Sequence, residues 1–422
     1  MTSASGNHAS HESTSSLPQV EIDVETIRSE IPALSRTVHE KPLVYLDAAA
    51  STPRPKTVID AVTHYESNYP ANVHRGVHTL SGEATHDYED ARRRTAAFLG
   101  GGELVFTRGA TEAINLVVNS WGDANLHKGD EILISALEHH ANIVPWQMFC
   151  ARTGAVLRVV DVDEQGTLHR EAVEGAITDR TRIVAITHVS NAIGTVTPIQ
   201  DICKLTRDRG ITSLVDAAQS VPHMRVDFSE IGCDFLVFSG HKMYAPTGIG
   251  GLLARRELLE AMPPWQGGGD MIRTVTFESS TWNDVPWKFE AGTPNIGGTI
   301  GLGAAVDWLS GIGMDIIADR EQRLLSETVS RLRSIDRVRL IGEPSRRAGA
   351  ISFIIDGMHP ADVGAMLDRH GIAVRAGHHC AQPILERFGL NTTLRVAPAF
   401  FNTANELESF ENALRRIIDV FG

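Results

Sequence analysis

The chain has 422 residues, 42% of them apolar and 22% charged; this balance excludes a fibrous or wholly disordered protein, and at this length two packed domains are expected. The formal net charge of −13 comes without any basic run, which argues against nucleic acid as a partner. The four cysteines, Cys150, Cys203, Cys233 and Cys380, form no C-x-x-C pair and are too sparse for a disulfide scaffold, so they read as reduced thiols in the cytoplasm.

Met1 to Pro18 is rich in serine and lacks both the apolar stretch of a secretory signal and the arginines of a mitochondrial one. Residues 1–22 are therefore expected to form a disordered tail. No apolar run is long enough to span a bilayer, and no membrane role is expected. From Leu43 onward, strand candidates Glu103–Phe106, Glu131–Ser135, Val156–Val160, Arg182–Thr187, Ser213–Asp216, Phe235–Ser239 and Gly251–Ala254 are interleaved with helix candidates Thr111–Trp121, Asn142–Arg152 and Ile199–Arg209. Valine- and isoleucine-rich strands separated by helices predict an α/β fold with a mainly parallel sheet covered on both faces. Beyond Gly297 the pattern changes to one long helical stretch, about Gly301–Ser334, then strand-like Val338–Ile341 and Ala350–Ile355, a helix near Pro360–Arg369 and a closing helix Ala404–Phe421. This reads as a smaller α+β domain. The expected division is 43–297 for the large domain and 298–422 for the small one, with 23–42 packing against the latter.

Several segments carry candidate chemistry. Ser239-Gly240-His241-Lys242 follows the apolar run Phe235–Phe238 and precedes a Gly/Pro-rich loop. Ligands of α/β sheets bind beyond the carboxyl ends of strands, where such a lysine can reach a pocket. Upstream, Leu214-Val215-Asp216 is a strand ending in a carboxylate, suited to pair the pyridine nitrogen of pyridoxal phosphate (PLP), whose protonated ring draws electrons from a substrate α-carbon. In Phe106-Thr107-Arg108-Gly109-Ala110-Thr111 a strand gives way to a helix whose free N–H groups suit a phosphate. Taken singly, a solvated lysine, an N-cap aspartate and a capping threonine would look the same. Glu138-His139-His140-Ala141-Asn142 offers an imidazole to lie on a cofactor ring, or a structural histidine. In Arg375-Ala376-Gly377-His378-His379-Cys380 an arginine and two histidines surround a thiol with potential positive charge, a setting that favours the thiolate. Consecutive H-H-C is poor chelate spacing, so no metal site is expected there. Arg395, in Thr393-Leu394-Arg395-Val396, could clamp a carboxylate or lie on the surface. The other three cysteines read as buried and inert.

Together, Ser239–Lys242, Arg375–Cys380, Glu138–Asn142 and Phe289-Glu290-Ala291-Gly292-Thr293-Pro294 resemble the class V aminotransferase family of fold-type I PLP enzymes, and within it the SufS-type (group II) cysteine desulfurases, which overlap with selenocysteine lyases. The resemblance covers the chain from about Leu43 and implies a seven-stranded sheet in the large domain. It also implies a role for each candidate. Lys242 would anchor PLP covalently and move protons at the substrate α-carbon. Asp216 would pair the ring nitrogen, Gln219 the ring oxygen, and His139 would stack on the ring. Ala110, Thr111, Ser239 and His241 would hold the phosphate, with Thr293 reaching a partner's phosphate across a homodimer. Asn191 and Arg395 would bind the substrate carboxylate, while His74, Arg75 and Arg375 would line the entrance. Cys380 would take sulfur from L-cysteine, or selenium from L-selenocysteine, and pass it to an acceptor of the SufE or SufU type for iron–sulfur cluster assembly. An aminotransferase or epimerase of the same fold would have no use for Cys380, and a scaffold without activity would not need Lys242, Asp216 and Cys380 together.

Overall fold

Seven short segments rich in Val, Ile, Leu and Phe pair into one sheet: β1 (Glu103–Thr107), β2 (Glu131–Ser135), β3 (Val156–Val160), β4 (Thr181–Thr187), β5 (Thr212–Asp216), β6 (Phe235–Ser239) and β7 (Gly250–Ala254). This computed structural model describes residues 22–422, and the expected tail lies outside them except for Ile22. The strand order is β1-β7-β6-β5-β4-β2-β3. β7 runs antiparallel to both its neighbours, and β6, β5, β4, β2 and β3 pair in parallel. Alternation along each strand splits its side chains between two apolar layers. Leu104, Phe106, Leu236 and Phe238 enter one layer, and Val105, Phe235 and Val237 the other. The edge strand β3 is covered least, with Val156 and Val159 exposed.

The parallel direction puts the carboxyl ends of β2, β4, β5 and β6 along one edge, where chain reversals and not hydrogen-bonded ladder must follow. At β7 the approach is closer. A Cβ on Gly250 would lie 2.6 Å from the Gly109 Cα, so only glycine lets the loop after β1 settle against the sheet.

The C-terminal part holds an antiparallel sheet of β8 (Val338–Ile341), β9 (Ile351–Ile355), β10 (Arg375–Gly377) and β11 (Thr393–Val396), in the order β8-β9-β11-β10. The helices Met314–Arg333, Pro360–Asp368 and Ala404–Phe421 share its apolar cluster. The single long helix expected over Gly301–Ser334 is instead two, Ile296–Ile312 and Met314–Arg333, bent by 76°. Gly313 breaks it with a backbone φ of 95°, a conformation glycine adopts readily. The helix expected from Thr111 starts at Ala110 and changes to a wider π turn at Val117–Gly122. No single helix among the described residues is long and apolar enough to cross a membrane.

The N-terminal segment contacts both parts. Arg28 pairs with Glu406 at 2.9 Å and donates to the Phe401 carbonyl, whereas Glu30 accepts from Trp308 Nε1 at 2.6 Å. Val44–Tyr45 then pairs in parallel with Ile372–Ala373.

A buried ionic cluster ties the helix Thr79–Phe98 to β1. Arg92 donates to Glu290 at 2.6 and 2.9 Å, and Glu290 also accepts from the Phe106 N–H at 2.7 Å and the Tyr88 hydroxyl at 3.1 Å. Removing Glu290 leaves the buried Arg92 with Glu89 alone, at 2.9 Å, and leaves the Phe106 N–H without its acceptor. Glu290→Ala is expected to cost about 3–5 kcal/mol of unfolding free energy, read by denaturant titration. Breaking the exposed Lys56–Asp60 pair with Lys56→Ala should cost less than about 1 kcal/mol.

Candidate active site

Lys242 ends a tight turn, Gly240–Lys242, directly after β6. The turn is pinned through the His241 carbonyl, which accepts from the Thr52 N–H at 3.0 Å and the Ser51 hydroxyl at 3.1 Å. The Lys242 amine opens into a cavity of about 420 Å³ and has no hydrogen-bond or ion-pair partner among the described residues. Burial pushes its pKa down to about 8, against the pull of the Asp216 charge and with the help of Arg395. Asp216, at the end of β5, is 4% exposed and lines the same cavity. One of its oxygens accepts from the Ala218 N–H at 2.9 Å, and the other has no partner among the described residues. Burial raises its pKa.

His139 follows β2. Its Nδ1 accepts from the Ala141 N–H at 3.0 Å, so in the neutral ring the hydrogen sits on Nε2. Burial, then the charges of Lys242, His140 and Arg395, hold its pKa down to about 3. The ring is therefore uncharged. Beneath it lies Glu138, to which no role had been assigned in sequence. It is fully buried and accepts from Ser135 Oγ, Asn142 Nδ2 and the Thr187 N–H, tying the ends of β2 and β4 together. Burial raises its pKa to about 7.

The loop after β1 makes the opposite wall. Ser239 Oγ accepts from the Ala110 N–H at 2.9 Å and keeps its own hydrogen to donate. Thr111 and His241 line the cavity beside it. Burial and Lys242 lower the His241 pKa to about 4. Gln219 is fixed by donating Nε2 to the Ala49 carbonyl at 2.7 Å.

Cys380 faces the cavity from a strained turn in which His379 and Cys380 have φ values of 53° and 54°, a left-handed conformation uncommon outside glycine. The turn is held by the His140 N–H, donating to the Cys380 carbonyl at 2.8 Å, and by Asn191 Nδ2, donating to the His379 carbonyl. The thiol is exposed. One expectation needs correction: the two neighbouring histidines do not both bring positive charge. His379 turns into the core, its Nε2 within 2.8 Å of Thr393 Oγ1, and burial holds its pKa down to about 3. The other thiols are set apart by burial, which pushes Cys203 up to about 12 and also raises Cys233 well above the usual thiol range, although Cys150 is only half-buried.

Arg395 is 2% exposed. It donates to the Asn191 carbonyl at 2.8 Å and to Asp47 at 3.2 Å, and its Nε has no partner among the described residues. Asp47 also receives Arg375 at 2.7 Å. Sequence reading missed Asp47. Its signal was of the same kind as that of Asp216, a carboxylate closing an apolar strand, in Val44-Tyr45-Leu46-Asp47.

A family model described as Aminotransferase class-V matches residues 44–410. The chain belongs to the class-V aminotransferase family. It is 50% identical over 403 residues to a cysteine desulfurase of Klebsiella pneumoniae, an alignment covering 94% of this chain and 99% of that one. Two solved structures are similar throughout. The apo cysteine desulfurase of Thermococcus onnurineus NA1 has a TM-score of 0.89 at 38% identity, covering 94% of this chain and 98% of that one. The cysteine desulfurase CsdA of Escherichia coli, in its S-sulfonic acid form, has a TM-score of 0.88 at 36% identity, covering 94% and 99%.

PLP is the cofactor of this family, and the donor set fits it: an unpaired amine open to the cavity, a carboxylate with one oxygen open, a neutral imidazole, and hydroxyl and N–H donors at the helix start. Not every residue singled out from sequence joins this class-V pocket within one chain. Thr293 lines a second cavity of about 400 Å³, with Asn72 Nδ2 at 3.5 Å. His74 is bound by Glu89 at 2.8 Å and Asp270 at 3.4 Å, and Arg75 pairs with Asp270.

The lowered pKa of Lys242 sets a pH test on the cofactor-free protein. An amine reacts with an acylating reagent only when unprotonated, so Lys242 labelling should reach half its maximum near pH 8. The lysine of an added unstructured peptide should continue to rise toward pH 10 and above. Peptide mass spectrometry after brief labelling reads both. Parallel profiles for the two lysines would contradict the assignment.

Proposed function

We propose that this chain is a PLP-dependent cysteine desulfurase that converts L-cysteine to L-alanine and receives the sulfur on Cys380. The observation that carries the reading is that the Lys242 amine, the Asp216 carboxylate and the Cys380 thiol all face one cavity. Such a cavity is of the size that holds a cofactor with a small substrate.

In this reading Lys242 anchors the cofactor covalently, Asp216 faces its ring nitrogen, Gln219 its ring oxygen and His139 its ring face, while Ala110, Thr111, Ser239 and His241 hold its phosphate. Bound there, PLP supplies a protonated ring that withdraws electrons from the substrate α-carbon. Arg395, with Asn191 beside it, binds the substrate carboxylate. The Lys242 amine would carry the α-proton, a task suited to an amine with a pKa of about 8. Cys380 attacks the substrate sulfur: an S–S bond forms, the C–S bond breaks, and its electron pair returns to the carbon that becomes the alanine methyl. Arg375, held by Asp47, stands at the entrance. The exposure of Cys380 supports transfer of the persulfide to an acceptor protein, of the SufE or SufU type, for iron–sulfur cluster assembly. L-Selenocysteine would use the same groups. The position of Thr293 away from its own chain's Lys242 supports a homodimer in which it reaches the partner's phosphate, with His74 and Arg75 near that junction. Four unpaired thiols support a cytoplasmic location.

Cys380→Ala is expected to keep the visible absorbance of bound cofactor and lose alanine production from cysteine by at least about a thousandfold. Full turnover by this variant would remove Cys380 from the mechanism. Arg395→Lys keeps a cation but loses the planar fork, and should raise KM for cysteine about tenfold or more with a smaller change in kcat.

A further inference from the structure

The turn after β2 and the thiol loop bring together three side chains able to ligate a metal. His140, His378 and Cys380 hold their ligand atoms within 4.8 Å of one another. The spacing that argued against a site, three consecutive residues, is not the spacing the fold uses. His379 is turned inward to Thr393, so His378 and Cys380 share the outer side of the loop, and the third ligand comes from a distant element. His140 is seated by its N–H bond to the Cys380 carbonyl, and its ring lies 5.5 Å from that of His378 with the planes 31° apart. Each imidazole has one nitrogen against a backbone N–H, His378 Nδ1 at 3.1 Å from Cys380 N and His140 Nε2 at 3.2 Å from Gln382 N. A ring that ligates through one nitrogen carries its hydrogen on the other, so ligation would release these two N–H groups. Cys380 and Gln382 are both exposed, and water can take the place of the ring.

The geometry points to a zinc-class site formed by His140, His378 and Cys380, with a fourth position open to solvent, which reversibly withdraws the Cys380 thiol from sulfur transfer. Two imidazoles and a thiolate are the donors a tetrahedral Zn²⁺ takes, at about 2.0–2.3 Å. Ligand atoms now within 4.8 Å of one another would close by about 1 Å to reach that distance, through the exposed side chains of His378 and Cys380. On binding, the thiol gives its proton to solvent and a sulfur–metal bond forms, with no change of oxidation state. The effect on sulfur transfer rests on the desulfurase reading; the binding itself does not.

The test titrates the cofactor-loaded enzyme with zinc chloride against a chromophoric chelator. One zinc per chain is expected, and His140→Ala, His378→Ala and Cys380→Ala should each weaken it by more than about a hundredfold. Cobalt in place of zinc should give visible tetrahedral bands that Cys380→Ala abolishes. Independently of any variant's folding, zinc should protect Cys380 of the natural protein from alkylation, with EDTA restoring the reaction. Zinc uptake undiminished in the variants, or alkylation unaffected by zinc, would overturn the site. Enzyme that makes alanine from cysteine but takes up no zinc would overturn this inference alone. Zinc bound through these residues in a protein that makes no alanine would overturn the desulfurase reading alone.

Discussion

The amine of Lys242, on a half-buried residue, faces a cavity it shares with the Asp216 carboxylate and the Arg395 guanidinium, without a hydrogen-bond partner among the described residues. Enclosing an ammonium group costs free energy unless something pairs with it. The protein meets that cost at one edge of a parallel sheet, where the backbone must turn and side chains can converge without disturbing the ladder. Asp216 ends β5, Lys242 follows β6, and His139 follows β2. What surrounds them is committed to holding this edge still. Ser51 and Thr52 grip the lysine turn, Glu138 bolts β2 to β4, and the Arg92–Glu290 cluster anchors the end of β1.

A second constraint lies where the two sheets meet. Arg395 comes from the C-terminal sheet, Asn191 from the loop after β4, and Asp47 from the segment leading into the large sheet. One carboxylate shared by two guanidiniums leaves positive charge uncompensated, with the Arg395 Nε unpaired. A pocket with two guanidiniums to one carboxylate is prepared for an anion. The same junction fixes the thiol loop, since Asn191 holds the His379 carbonyl while Arg395 holds that of Asn191. The groups that suit a substrate carboxylate and those that position the thiol are thus mechanically one unit.

Much of this was legible in the chain itself. Strands announce themselves as apolar runs, and the buried β2 and β6 and the exposed edge strand β3 begin and end where the pattern placed them. Helix boundaries were less readable. Gly313 divides a continuous apolar periodicity because its backbone angle bends the chain by 76°, which periodicity does not record. Asp47 and Glu138 escaped assignment because a carboxylate's role depends on what faces it, and their partners lie far away in sequence.

The order of local motifs determined the sheet, the lysine and aspartate at adjoining strand ends, and the thiol in a glycine-bounded loop, because each is a short-range property of neighbouring residues. Only the tertiary structure decided which histidine of His378-His379 stays beside the thiol, that His140 joins them, and that Thr293, His74 and Arg75 stand away from the Lys242 cavity of their own chain. Those outcomes depend on burial and on contacts between distant segments. Burial strips one imidazole of its charge and leaves its neighbour in solvent, although in sequence the two are the same residue side by side.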